Sequence, residues 1–319
     1  MVVLYAVGVS GFNAEIHRMV AGVAAHFING ETVKYVESHL PKPDGIHLPH
    51  ADAALIDVAS WADRVKLDPG YAWSRDLHFV GTPYRACAAY DEARDCDRGR
   101  CVVTAIANYT QRASDTHLSR EARGEALKFL VHFVADAHSG MHVSFVKDLG
   151  GNKINLRSPQ MSLHEVWDSQ LLTEFFMQQS SAQLRNGRGV TLHLVSRLVA
   201  HPKMLQSSLL RTDSALHFAA AIASETARHV TCDLAYKDDG VWIQSGATLS
   251  ARYLATRSRR LMDIIARAGA RLAQLLDSVA EKYHSRLAAA RPARQVPRMV
   301  DSEGWEQVQV QRGRVPIAA

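Results

Sequence analysis

Apolar residues recur at helical spacing along most of the chain. In residues 14–28, Ile16, Met19, Val20, Val23 and Ala24 fall on one stripe, which predicts a helix. Residues 51–66 show a similar pattern, ending at Asp63 and Lys66. Between 67 and 118, Gly, Pro and Asp interrupt the periodicity and three cysteines cluster, which predicts loops with short helices. Ser119 then offers an N-cap, with Glu121 in the first turn. The following stretch, about 120–138, is apolar nearly all round, through Leu127, Phe129, Leu130, Val131, Phe133 and Val134. Such a helix is expected to be buried. Residues 139–160, with Gly150-Gly151-Asn152, predict an irregular loop or short hairpin, and a second buried helix follows at about 162–178. Further helices are expected at about 189–200, 214–235 and 249–288. The last carries Leu261, Ile264, Ile265, Ala268, Leu272, Leu275 and Leu276 on one stripe, and Arg257, Arg259, Arg260, Arg267 and Arg271 on its other face. From 289 the periodicity is lost, and the tail 289–319 is expected to be disordered or loosely attached. The pattern predicts an all-α fold, a single mainly helical domain over residues 12–288.

Composition adds limits rather than detail. A chain of 319 residues, 47% hydrophobic, can bury one large core. A net charge of +5 suits a polyanionic partner and equally a solvated basic surface. No stretch beyond the first eleven residues is long and apolar enough to span a membrane. Those eleven, MVVLYAVGVSG, resemble the apolar core and cleavage end of a signal peptide, a buried N-terminal strand being the alternative. Cys96 and Cys101 bracket a short polar loop that could close a small ring, leaving Cys87 and Cys232 to tie distant segments. A cytosolic chain could keep all four as free thiols. Asn108-Tyr109-Thr110, an N-glycosylation sequon, leans towards the oxidising alternative.

The chemistry-bearing residues sit on the two buried helices. His132 and Asp136 are four residues apart, as are His164 and Asp168, so each pair projects from one helix face. One His-x₃-Asp pair is often only a core hydrogen bond. Two carboxylates inside apolar helices are a different matter, because each buried charge costs several kcal/mol unless a cation compensates it. Metal ions would do so, Arg or Lys partners being the alternative, and zinc takes His nitrogen and carboxylate oxygen. His142, six residues after Asp136, could fold back as a further ligand.

HFVADAHSGMHVSFVKDLGGNKINL at 132–156 resembles the histidine–aspartate segment of the class I zinc nucleases, the single-strand-specific nucleases of fungi and plants and the 3′-nucleotidase/nucleases of trypanosomatids. LHEVWDSQLL at 163–172 is similar to the family's second ligand pair, ASWADRVK at 59–66 to its Asp-containing segment, DLHFV at 76–80 to its next histidine and RLAQLL at 271–276 to its closing helix. The resemblance runs in order from about residue 12 to 278.

It implies three zinc ions per chain. One would be held by Asp63, His78, His132 and Asp136, and a second by His142, His164 and Asp168. The third would take His17, a bridging Asp136, and the amine and carbonyl of Phe12 as mature first residue after cleavage behind Gly11. It further implies the bridges Cys87–Cys232 and Cys96–Cys101, a catalytic role for Asp63 and Lys66, substrate contacts at Phe79 and Asn152, and a glycan at Asn108. The implied activity is hydrolysis of single-stranded DNA and RNA to 5′-nucleotides, and removal of the 3′-phosphate from 3′-nucleotides, through a metal-activated hydroxide. The implied protein is a secreted or endomembrane monomer with no stable protein partner. A zinc phospholipase C, or a zinc-stabilised binding protein without catalysis, are the competing expectations. The chain departs from the family's pattern at Ala135, in the turn His138-Ser139-Gly140-Met141-His142, at Leu149 where arginine is common, and at Gly81 where an acidic residue often reads the base.

Overall fold

The computed structural model describes residues 13–212 and 214–290. The expected leader, Phe12 and the tail from 291 lie outside them. The architecture is mainly helical, as expected. Asn13 accepts the Ile16 N–H and starts α1 (Ala14–Phe27), and Asn29 caps α2 (Gly30–His39), which the periodicity did not reveal. The expected 51–66 helix is two, α3 (His50–Val58) and α4 (Trp61–Val65). A 3₁₀ stretch (Pro69–His78) leads into β1 (Val80–Thr82) and α5 (Glu92–Asp95). α6 (Val102–Ala113) is a 12-residue helix in the region expected to hold loops with short helices. The Cys-rich turn ahead of it masks its periodicity, and Thr104 rather than a usual N-cap residue receives the Cys101 N–H.

α7 (Arg120–Ala137) begins on Ser119 as expected and is buried along most of its length. After β2 (Val143–Phe145) come α8 (Leu163–Glu165), a π-helical turn (Val166–Gln170) and α9 (Leu171–Met177). α10 (Gly187–Ala200), α11 (Pro202–Ser208) and α12 (Ala215–Glu225) follow, and α12 continues as a second π stretch, Thr226–Ala235. A hairpin of β3 (Lys237–Asp238) and β4 (Val241–Trp242) precedes the longest helix, α13 (Ala251–Ala290). α13 is the axis: α1, α2, α7 and α9 all pack on it, so its apolar stripe is the floor of the core.

One arginine was misplaced by the helical pattern. Arg271 is not on the outer face of α13 but buried, bonding the Ser208 carbonyl, the Glu225 carboxylate and the His138 ring. A buried guanidinium needs such a full set of acceptors. Both expected disulfides are present: Cys96–Cys101 closes the turn before α6, and Cys87–Cys232 ties the loop after β1 to the second π stretch.

Cys87–Cys232 closes a loop with a sequence separation of 145, and Cys96–Cys101 one of 5. Loop-closure entropy in the unfolded chain grows with that length. Replacing Cys87 and Cys232 by Ala should therefore cost about 2–4 kcal/mol in denaturant unfolding, and replacing Cys96 and Cys101 distinctly less. The reverse order would show that the bridges act through native-state packing instead.

Candidate metal centre

Every described residue expected to bind metal converges on one buried place. His17 comes from α1, Asp63 from α4, His78 from the end of the 3₁₀ stretch, His132 and Asp136 from α7, His142 from the turn after it, His164 from α8 and Asp168 from the π turn. Three groups of ligand atoms lie close enough to hold an ion: His17, His132 and Asp136; Asp63, His78 and His132; His142, His164 and Asp168. Phe12 lies outside the described residues, but its neighbour Asn13 donates its backbone N–H to the Asp168 carbonyl at 3.1 Å.

Local structure explains the convergence. β1 and β2 form a short parallel ladder with Val80 opposite Val143, and Val80 N–H donates to the His142 carbonyl at 2.8 Å. This ladder holds His78 and His142 at a fixed separation, although 64 residues part them in sequence. The turn between Asp136 and His142 packs directly on the second π stretch. A β-carbon at Gly140 would lie 2.9 Å from Val230 Cγ1 and 3.3 Å from Thr231 N. Glycine is what that approach permits. The π turn at Val166–Gln170 widens the helix between His164 and Asp168, and the pair still meets, with His164 Nε2 at 2.9 Å from Asp168 Oδ2.

Asp136 is the hub. Its side chain is fully buried, with Oδ2 at 3.0 Å from His78 Nδ1 and 3.1 Å from His132 Nε2, and Oδ1 at 3.1 Å from His142 Nδ1 and 3.5 Å from His17 Nε2. His132 Nε2 and His78 Nδ1 also lie 3.5 and 3.6 Å from Asp63 Oδ1. Among the described residues, the buried oxygen Asp168 Oδ1 and the buried nitrogen His78 Nε2 find no hydrogen-bond partner, and Asp136 Oδ1 has only histidine nitrogens beside it. Orphaned carboxylate oxygens at this depth fit a cation. The donor set, five imidazoles and three carboxylates, suits a borderline ion such as zinc.

Backbone carbonyls orient the rings. Ala59 O lies 2.8 Å from His132 Nδ1, His78 O lies 2.8 Å from His142 Nδ1, and Gly150 O lies 2.7 Å from His164 Nδ1. An Nδ1–H given to a carbonyl leaves Nε2 as the ligating atom. These carbonyls leave no trace in the hydrophobic pattern. Gly150 has φ 63, the left-handed region, and a β-carbon there would run into the Met141 carbonyl.

The remaining site residues ring the cluster. Lys66 Nζ is 2.5 Å from Asp63 Oδ1. Phe79 is 49% exposed and lines a cavity of about 360 Å³ with Met141, His142, Val146, Leu149, Asn152 and His164. Asn152 donates to the Leu149 carbonyl and its amide lies 3.0 Å from His164 Nδ1. Asn108 is exposed on α6. Spacing alone is a poor guide: His229 and Asp233 form a third His-x₃-Asp pair, at 3.3 Å, yet both are largely exposed.

Among the protein groups alone, burial opposes charge on His132, but Asp136 and Asp63 raise its pKa to about 10. Burial likewise opposes charge on His142, and Asp136 raises it to about 9. Burial pushes His78 down to about 4 despite Asp136. Burial would raise the Asp63 and Asp136 carboxyls, but the facing histidines hold both well below the usual range.

The family model described as S1/P1 Nuclease matches residues 13–281. Endonuclease 1 of Arabidopsis thaliana is 29% identical over 288 residues, 87% of this chain and 90% of its own length. Nuclease P1 of Penicillium citrinum is 39% identical over 158 residues, 48% of this chain and 55% of its own. Nuclease S1 of Aspergillus oryzae is 26% identical over 272 residues, 83% of this chain and 91% of its own.

Metal needs neutral imidazole, so loading a chelator-stripped chain near neutral pH should expel the protons of His132 and His142, about two per chain. Calorimetry in buffers of different ionisation enthalpy reads that number. In the stripped chain these two raised pKa values stabilise the fold fully below about 6.5. That stability should fade as pH climbs through about 9 and then about 10. A melting temperature flat across that window would contradict the ion-pair assignment.

Proposed function

Because this chain belongs to the S1/P1 nuclease family, we propose that it is a secreted zinc-dependent hydrolase that cuts single-stranded DNA and RNA to 5′-nucleotides and removes the phosphate from 3′-nucleotides. The observation that carries the reading is Asp136, a fully buried carboxylate facing four histidines beside a pocket with an aromatic rim.

Three zinc ions fit the residues. Asp63, His78, His132 and Asp136 would hold one, and His142, His164 and Asp168 a second. His17, Asp136 and the amine and carbonyl of Phe12 would hold the third. The Asn13 bond to Asp168 supports the last assignment, because it brings the chain to the cluster one residue after Phe12. Zinc would supply Lewis-acid charge at the phosphate. Lys66, held by Asp63, adds a positive charge where the phosphoryl oxygens become more negative. Phe79 offers a face on which a base stacks, which contributes about 1–3 kcal/mol. Beside it Gly81 has no side chain, and Val146 Cγ2 fills the space a β-carbon would need. Phe79, Val146 and Leu149 thus present only carbon to a base, so any reading of its edge falls to polar neighbours such as Asn152. The two disulfides favour an oxidising compartment, and exposed Asn108 is the proposed glycan site.

Protein beginning at Phe12 should carry three zinc per chain by elemental analysis, and one fewer when an extra residue blocks that amine. Asp168→Ala should also lower the count. Lys66→Ala should keep the zinc and lose roughly 100–1,000-fold in kcat on single-stranded DNA. Release of headgroup from phosphatidylcholine, with no nucleotide from DNA, RNA or a 3′-nucleotide, would refute the nuclease reading.

A further inference from the structure

A row of cations and rings begins at the rim of the pocket and is not explained by it. Lys147 follows the pocket-lining Val146, and its Nζ stands 4.6 Å from the centre of the Tyr84 ring. The Arg85 guanidinium lies 4.9 Å from that ring and 4.7 Å from the Trp242 ring. Lys237 Nζ lies 4.8 Å from Trp242. Phe145, a wall of the pocket, touches both Tyr84 and Trp242, so row and pocket are continuous.

The row is assembled from three segments and held rigidly. Arg85 and Cys87 have φ of 59 and 45, in the left-handed region that side chains normally avoid. Such residues persist only where the surroundings fix them. The Cys87–Cys232 bridge fixes this turn to the π stretch that leads into β3, and the hairpin pairs Lys237 with Trp242. Lys147 is exposed and Lys237 partly so, while the Nε of Arg85 is buried. Among the described residues no carboxylate forms an ion pair with Lys147, Arg85 or Lys237. The nearby acids are engaged elsewhere: Asp148 accepts from Tyr236, Asp238 from Ser250, and Asp239 faces Arg252.

Cations alternating with aromatic faces are what a single strand of nucleic acid binds, phosphates meeting the charges and unpaired bases meeting the rings. A duplex hides its base faces and would gain only the charge contacts. We infer that Lys147, Tyr84, Arg85, Trp242 and Lys237 form a track that grips single-stranded nucleic acid beyond the nucleotide in the catalytic pocket. The track rests on the nuclease reading for its purpose, but its binding can be measured without cleavage.

The test uses the full zinc-loaded chain and fluorescent phosphorothioate dT20 in anisotropy titrations. Lys147→Glu with Lys237→Glu should weaken binding at least about tenfold and flatten its salt dependence, and Tyr84→Ala should weaken it without flattening. Hydrolysis of a dinucleotide, which reads the pocket alone, should be unchanged. Affinity of the double variant within about twofold of the parent overturns the track. So does loss of binding to phosphatidylserine vesicles with dT20 affinity intact, which would make the row a membrane contact. A chain that binds dT20 through these lysines yet cleaves no substrate keeps the track and removes the nuclease reading. One that cleaves both substrates, with dT20 affinity indifferent to the lysines, does the reverse.

Discussion

A carboxylate with no access to water has to be neutralised where it stands, and the core of this protein is organised around meeting that demand for Asp136. Four histidines from α1, the 3₁₀ stretch, α7 and the following turn face it within 3.5 Å. Isolated, such a charge would cost several kcal/mol. Surrounded by rings that either carry protons or yield to metal, it becomes the point where separate parts of the chain are joined. The helices do not merely display the cluster, since the cluster is a reason for them to meet.

The supporting framework is small. Three-residue strands β1 and β2 hold His78 and His142 together, and a single π turn sets Asp168 beneath His164. Trp167, between that pair, is fully buried and donates to Tyr253 OH on α13, so the turn is anchored to the longest helix. Errors of position at the cluster are thus limited by core packing rather than by loop stiffness.

Much of this was readable from the residues. α1 and α13 declare themselves by apolar stripes and α7 by being apolar nearly all round, and Ser119 caps α7 in the structure as its identity suggests. Buried His-x₃-Asp pairs stand out because their surroundings are apolar, and the exposed His229–Asp233 pair shows that spacing without burial carries no such meaning. α2 and α6 were missed because one is short and the other follows a cysteine-rich turn. The π turns were missed because one inserted residue barely alters a helical period. Arg271 was misjudged because periodicity assigns a face, while only the neighbours Glu225, Ser208 and His138 reveal that the face is covered. The row from Lys147 to Lys237 joins residues 90 apart and has no local signature at all.

The carbonyls of Ala59, His78 and Gly150 hold three ligand rings by their Nδ1 atoms. Every residue type carries a carbonyl, so at Ala59 this orienting function does not depend on side-chain identity. Substitutions around the cluster can then accumulate while ring orientation is inherited from the path of the main chain. The turn from His138 to His142 works the same way: His142 faces Asp136 with its Nδ1 against the His78 carbonyl. Geometry encoded in the backbone leaves the side chains at such positions free to change while the rings keep their orientation.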